Sequence, residues 1–293
     1  MNILDDLKLQ YKIGGISQQI IYWNVALFVI PYVLFAVLAL FSVNIDFLKY
    51  VSLSSNPADL LWKPWSIITY AFFHSGFLHL LFNMLVLNFS SRLFLTYFTQ
   101  KQFLNLYFVG SIFAGIIYIC CYFLFPSLAH LNVSLVGASG AIMGILFAAA
   151  AYSPFMEVRL LLIGNVKLWH IAFFLIIIDL IQLPLENTGG HLAHLGGALF
   201  GYLYIKQLQR GNDLGSWFSN TIDAVVIAFG KQKATPFKRV HRNYAPKPEI
   251  TVSKIVSKDK AQQQIDEILD KISQSGYDSL TKEEKEFLFK AGK

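Results

Sequence analysis

Three stretches of this chain carry no formal charge at all: nothing from Ile13 to Ile45, from Pro64 to Ser91 or from Gln102 to Met156 is Asp, Glu, Lys or Arg. A helix that crosses the ~30 Å hydrocarbon core of a bilayer needs about 20 apolar residues, and each run is longer than that. Lipid is the solvent such runs imply. The charge that remains is uneven, with 10 Lys/Arg and 9 Asp/Glu in residues 1–230 against 14 and 9 in residues 231–293. A membrane part followed by a water-facing tail accounts for this split. Only 14% of the chain is charged and 55% is hydrophobic, whereas a soluble domain has about 25% charged residues. The net charge of +6 does not call for nucleic acid, because the basic residues fall in the tail and in loops where membrane topology already explains them. Adjacent Cys120 and Cys121 have neither disulfide geometry nor metal-ligand spacing. Asp5 and Asp6 stand where a signal peptide would be basic, so the first apolar run is expected to stay as a span.

Apolar runs of spanning length predict six helices, over residues 21–43, 77–98, 102–125, 138–152, 166–183 and 188–208. The fold class is therefore an all-α polytopic membrane protein. Lys8, Lys12, Arg92, Lys101, Arg159, Lys167, Lys206 and Arg210 fall on one side and only Lys49 and Lys63 on the other, which places both termini in the cytoplasm. The long connection 44–74 contains Trp62, Trp65, Tyr70 and Phe72 and is expected to lie in the interface. The fourth span is too short to cross: about 15 residues at ~1.5 Å each fall short of ~30 Å. It must begin below the outer surface, and residues 131–137 must descend to it as irregular backbone around a watery pit.

Four segments follow from this map: a cytoplasmic N-terminal stretch 1–20, a six-helix membrane domain 21–210, a membrane-surface stretch and basic linker 211–260, and a C-terminal helical hairpin 261–293. In the hairpin Ile265, Ile268, Leu269 and Ile272 recur at helical spacing, and Thr281 with Glu284 forms a capping box. Residues 217–229 are apolar enough to lie on the inner membrane surface. The tail is read as a docking or regulatory appendage with a partner of unknown kind.

Polar groups inside a bilayer are costly and so are functional candidates; here they are His74, His79, Asn83, Ser139, His170, Asp179, His191 and His194. Gly137-Ala138-Ser139-Gly140 puts a hydroxyl at the start of the short helix, at the foot of the pit, with Gly140 and Gly144 forming a small-residue face. Alone, this motif is weak and more often marks a small packing serine, and it is not the G-x-S-x-G elbow, since residue 141 is Ala. The sixth helix carries His194, Gly197 and Gly201 on one face. If the two glycine faces meet, His194 is brought to Ser139, and a serine needs such a base to become a nucleophile. His79 and Asn83, at i and i+4, share a face of the second helix and could donate to one oxyanion together with the Ser139 amide, or simply hold helices together.

These motifs, in this order across about residues 61–208, resemble the rhomboid intramembrane serine proteases. The resemblance implies a six-helix bundle in which Ser139 is the nucleophile, His194 the general base and acid, and His79 and Asn83 the oxyanion stabilisers. It implies a dyad with no aspartate, and neither metal nor cofactor. The substrates it implies are transmembrane segments of other membrane proteins in the same bilayer, with the fifth helix and residues 184–190 as gate and lid. The C-terminal hairpin looks like an extension of some bacterial members. Some relatives have an aromatic residue where this chain has Met143, which can still pack on a ring, and the Trp-Arg pair of many first outer loops is absent between residues 44 and 61.

Other readings lack their residues. A zinc protease needs H-E-x-x-H, whereas His191 and His194 are three apart with no Glu between them and no further ligand in view. An aspartyl protease needs two carboxylates, and the spans hold one, Asp179, expected to pair with a polar group such as Gln182 or to stay protonated, in a structural role. A transporter would show repeated interrupted helices. The alternative closest to the enzyme is a non-catalytic rhomboid-like protein that binds membrane helices, although such relatives lack the serine or histidine. With no Arg/Ser-rich transit segment before the first span, the expected location is a bacterial inner membrane.

Overall fold

The computed structural model describes residues 2–160, 163–229 and 252–291, and the chain divides into two compact units, Met1–Lys231 and Gln232–Lys293. The first is helical and apolar. Helix α1 (Ile3–Ile13) leads into α2 (Gly15–Leu40), followed by the single turns α3 (Leu48–Val51) and α4 (Ser66–Thr69), then α5 (Phe77–Leu95) and α6 (Gln100–Leu124). After these come α7 (Ser139–Tyr152), α8 (Leu168–Gln182), α9 (Thr188–Leu208) and α10 (Ser216–Phe229).

Helix α2 begins six residues before the expected span, and α1 occupies the stretch read as a plain N-terminal segment. The physical reason is that an apolar run marks where a helix meets lipid, not where its hydrogen bonds begin. The polar Ser17, Gln18 and Gln19 belong to the helix although they lie outside the apolar run. Helix α6 starts at Gln100, two residues before the expected span, at a capping box in which Thr99 and Gln102 each accept from the other's backbone.

Helices α2, α5 and α6 are each long and apolar enough to cross a bilayer. Helices α7 and α8 are apolar but short, and α9 has the length, with 21 residues, while glycine and histidine dilute its hydropathy. The outer helices leave Val33, Leu34, Leu40, Phe82, Phe173 and Ile181 more than half exposed, which no water-soluble surface would sustain on this scale. By contrast, α7 is buried along most of its length and packs against α9, α6 and α5. The serine-bearing helix is thus the core of the unit.

The stretch expected to descend as irregular backbone contains a strand instead. Residues β1 (Leu53–Ser54) pair antiparallel with β2 (Ser134–Leu135). Around them Ser55 Oγ donates to the Leu131 carbonyl and accepts from Val133 N–H, while Tyr118 Oη donates to the Val133 carbonyl. The need to satisfy every backbone group away from water is met by protein. The long first connection supplies this partner strand and is itself pinned, by Thr69 Oγ1 on the Val51 carbonyl at 2.8 Å and Trp65 Nε1 on the Tyr50 carbonyl at 2.9 Å.

A second departure lies between α7 and α8. Strands β3 (Glu157–Leu160) and β4 (Gly164–Lys167) form a hairpin, so the fifth helix begins at Leu168 rather than at 166. Glu157-Val158-Arg159-Leu160 alternates polar and apolar with period two, and Gly164 has φ +89°, a conformation glycine adopts without strain.

The second unit is a helical hairpin of α11 (Val252–Ser275) and α12 (Lys282–Ala291). Ile268 and Leu280 are buried within it. The capping box is formed, with Thr281 N–H on Glu284 Oε2 at 2.8 Å and Glu284 N–H on Thr281 Oγ1 at 3.3 Å, and Lys271 Nζ reaches Glu284 at 2.9 Å. Helix α11 starts nine residues before position 261, so the basic linker does not extend to 260. Residues 230–251 of that linker lie outside the described residues.

Candidate active site

The path of the chain into α7 decides where Ser139 points. Gly137 has φ +127°, outside the range of residues with a side chain, and its N–H donates to the Tyr70 carbonyl at 2.9 Å. The helical ladder starts with Ile142 N–H on the Ala138 carbonyl, so the amides of Ser139, Gly140 and Ala141 have no intrahelical acceptor. These donors sit at the positive end of the helix dipole, and Ser139 is the first residue there, half-buried.

The two glycine faces do meet. A Cβ at Gly197 would collide with the Gly140 carbonyl oxygen, and one at Gly201 with the Gly144 carbonyl oxygen, while one at Gly144 would lie 3.2 Å from the Gly197 carbonyl oxygen. Backbone touches backbone along α7 and α9, as small-residue faces allow in membranes. His194, one turn before Gly197, is thereby carried to the same cavity as Ser139.

That cavity, about 460 Å³, is lined by Ser75, His79, Asn83, Ser134, Leu135, Val136, Ser139, Asn187, Gly190 and His194. The four residues expected to carry chemistry, from α5, α7 and α9, are therefore together. No hydrogen bond joins Ser139 Oγ to His194 among the described residues; such bonds are often long in uncomplexed sites and tighten around substrate.

His79 Nδ1 is 3.1 Å from Ser75 Oγ, and its Nε2 faces Gly137, 2.8 Å from where a Cβ would stand, with Ser139 Oγ near the same point. In the tautomer in which Ser75 donates to Nδ1, the Nε2 hydrogen points into the cavity. Asn83 uses its Nδ2 on its own helix, donating to the His79 carbonyl at 2.8 Å, and its Oδ1 is buried without a partner. One of its two amide hydrogens is thus occupied, which narrows what it offers the cavity. His74 sits behind the site: its ring lies edge-on to His79 at 5.0 Å, and Nε2 accepts from Ala138 N–H at a long 3.5 Å. His170 does not belong to the site, being exposed with its ring tilted against Trp169.

Asp179 takes polar partners other than the one named from the sequence. It does not pair with Gln182; its Oδ1 lies 2.9 Å from His194 Nδ1 and 2.7 Å from His191 Nδ1. A carboxylate therefore does contact the histidine that was read as one half of a dyad, and it also supplies the third metal-ligand type that His191 and His194 were thought to lack. The spacing nonetheless fits hydrogen bonds. Metal–ligand bonds of about 2.0–2.2 Å would hold tetrahedral ligands about 3.4 Å apart, further than either N···O distance. Sequence reasoning also missed Ser75, which orients His79, and Asn187, which caps α9 from a left-handed conformation (φ 48°) with Oδ1 accepting from Gly190 N–H.

The model of the Rhomboid domain matches residues 61–210, and a family of unknown function (DUF6576) matches residues 256–290, the hairpin unit. The chain is similar to Presenilin-associated rhomboid-like protein A, mitochondrial, of Danio rerio, with 31% identity over 155 residues. That match covers 52% of this chain and 39% of the relative, well under two thirds of the relative's length. The domain match takes in more than half of the chain and every residue of the cavity, and the chain belongs to the rhomboid family.

Proposed function

We propose that the chain is an intramembrane serine endopeptidase that hydrolyses a peptide bond in or beside a transmembrane segment of another membrane protein. The observation that carries this reading is the glycine-to-carbonyl contact of α7 with α9, because it forces a serine at a helix N-terminus and a histidine into one cavity. Ser139 Oγ attacks the scissile carbonyl carbon while His194 Nε2 takes its proton. The developing oxyanion meets the Ser139 amide, the His79 Nε2 hydrogen and the remaining Asn83 hydrogen. The C–N bond then breaks as His194 protonates the leaving amine. Water adds to the acyl-enzyme, its proton passing to His194, and release of the acid restores Ser139.

Six helices, α2 and α5 to α9, cross the bilayer in this reading, with α7 starting below the outer surface and both termini on the Lys/Arg-rich inner side of a cell membrane. Lys101 at the start of α6 pairs with Asp223 of α10 at 2.8 Å, which supports α10 as a helix lying along that inner side. A substrate helix must unwind locally to present its backbone, since its peptide groups are otherwise satisfied internally.

The test is reconstitution in liposomes with a single-pass protein carrying small residues and a glycine near the outer end of its helix. The parent is expected to cut it, and Ser139→Ala and His194→Ala to leave it intact. If all three proteins cut alike, the proposal fails. If the parent retains the helix without cutting it, the helix-binding reading takes its place.

A further inference from the structure

Among the described residues of α2 and α5 to α9, Asp179 is the one carboxylate, and its side chain is only 6% exposed. A buried ion in such surroundings persists only when paired and hydrogen-bonded. Asp179 stands three residues before the end of α8 and accepts through one oxygen from two histidines of α9. His191, 9% exposed, anchors the carboxylate, and His194, 23% exposed, faces the cavity. The carboxylate is thus held from behind and presented towards the site.

From this arrangement we infer that Asp179 is the positioning residue for His194, making the site a Ser139–His194 pair oriented by a buried carboxylate; the inference rests on the hydrolase reading above. A carboxylate oxygen accepts, so the nitrogen facing it must carry hydrogen. Nδ1–H is therefore the tautomer of His194, and Nε2 keeps the lone pair that a general base needs. The same contact stops the imidazole from flipping about its χ2 axis. When His194 takes the serine proton, the imidazolium forms beside an anion already in place, with no solvent to reorganise. Asp179 passes no proton of its own and touches no substrate. It acts through His194 alone.

Two measurements on the full chain in lipid nanodiscs test this. The first is the rate at which a fluorophosphonate probe labels Ser139 in the parent, Asp179→Asn and Asp179→Ala. In soluble serine proteases the equivalent Asp→Asn change costs about 10⁴ in kcat through the wrong tautomer, and here the maximal labelling rate should fall on the order of 100-fold or more in both variants. The probe concentration for half-maximal rate should not change, a split that general loosening of the fold would not produce. Labelling at the parent's rate in a folded Asp179→Ala overturns the inference.

The second is the nitrogen-15 NMR spectrum of His194 in Ser139→Ala, which requires neither an Asp179 variant to fold nor a reactive serine. A proton on Nδ1 and a lone pair on Nε2 are expected, and the opposite tautomer overturns the inference. The two readings can fail separately. If the parent labels no more than Ser139→Ala, hydrolysis is ruled out and with it the catalytic role of Asp179, whereas an Nδ1–H signal beside that result leaves Asp179 as an orienting group in a site that does not react.

Discussion

At Gly137 a single backbone angle places both the nucleophile and its neighbour. With φ at +127° and the Cβ position 2.8 Å from His79 Nε2, Gly137→Ala should add about 1–3 kcal/mol of backbone strain and push the His79 ring aside. Thermal melting should fall and labelling of Ser139 should slow, and unchanged values of both would contradict this account of the turn. Asn83 allows a second test at the same scale. Only one of its amide hydrogens is left for the cavity, so Asn83→Ala should lower kcat about 10- to 100-fold, towards the weak end of a lost oxyanion donor, with KM little changed. A comparable loss in KM would instead make it a substrate-binding residue.

The single residues were unevenly legible beforehand. Ser139, His194, His79 and Asn83 stand out because a polar group in an apolar run is conspicuous, and the cavity brings them together. Asp179 was noticed for the same reason, yet its partners were missed. The turn of residues 183–187 makes α8 and α9 antiparallel neighbours, and Asp179 lies three residues before α8 ends while His191 lies three residues after α9 begins. That level placement was readable, but nothing in a lone carboxylate says which of several nearby polar groups it will take.

Between elements, the contact of α7 with α9 is the one on which the cavity depends. A methyl group at Gly197 would meet a backbone carbonyl, which cannot rotate away, so the helices themselves must part. Gly197→Ala should therefore cost about 1–3 kcal/mol from overpacking and abolish labelling, whereas Gly144→Ala, whose Cβ would sit 3.2 Å from its neighbour, should be milder in both. Equal effects of the two substitutions, read by melting and labelling together, would sink this argument. Glycine spacing on a helical face made this contact legible. The β3–β4 hairpin escaped because a four-residue alternation is weak beside a strong apolar run, and the β1–β2 pair because two-residue strands far apart in the chain leave no periodicity to read.

On the scale of the whole molecule, the two units answer to different forces. The hairpin is held by caps and charges: the Thr281 N–H and then the Lys271 ammonium keep the Glu284 carboxyl below its ordinary carboxylate range. A carboxylate pKa depressed in the folded state stabilises fully above its unfolded value, about 4.3, and that contribution fades as pH falls through the depressed one. Protection from hydrogen exchange at the first amides of α12, relative to the same amides unfolded at each pH, should fall on acidification below about pH 4, and Glu284→Gln should remove that dependence. Protection that does not change with pH in the parent would contradict it. The membrane unit is held instead by close backbone packing around α7, so its chemistry should not depend on the hairpin's protonation. The boundary between the units was legible as a change in charge density, because charge density records which solvent each segment meets.

The central claim is that packing of α7 against α9 activates Ser139. Covalent labelling by a fluorophosphonate probe, in lipid, with Ser139→Ala and His194→Ala alongside, tests it most directly. The account predicts labelling of the parent alone. Labelling of His194→Ala at the parent's rate, or none in the parent beyond Ser139→Ala, would contradict it.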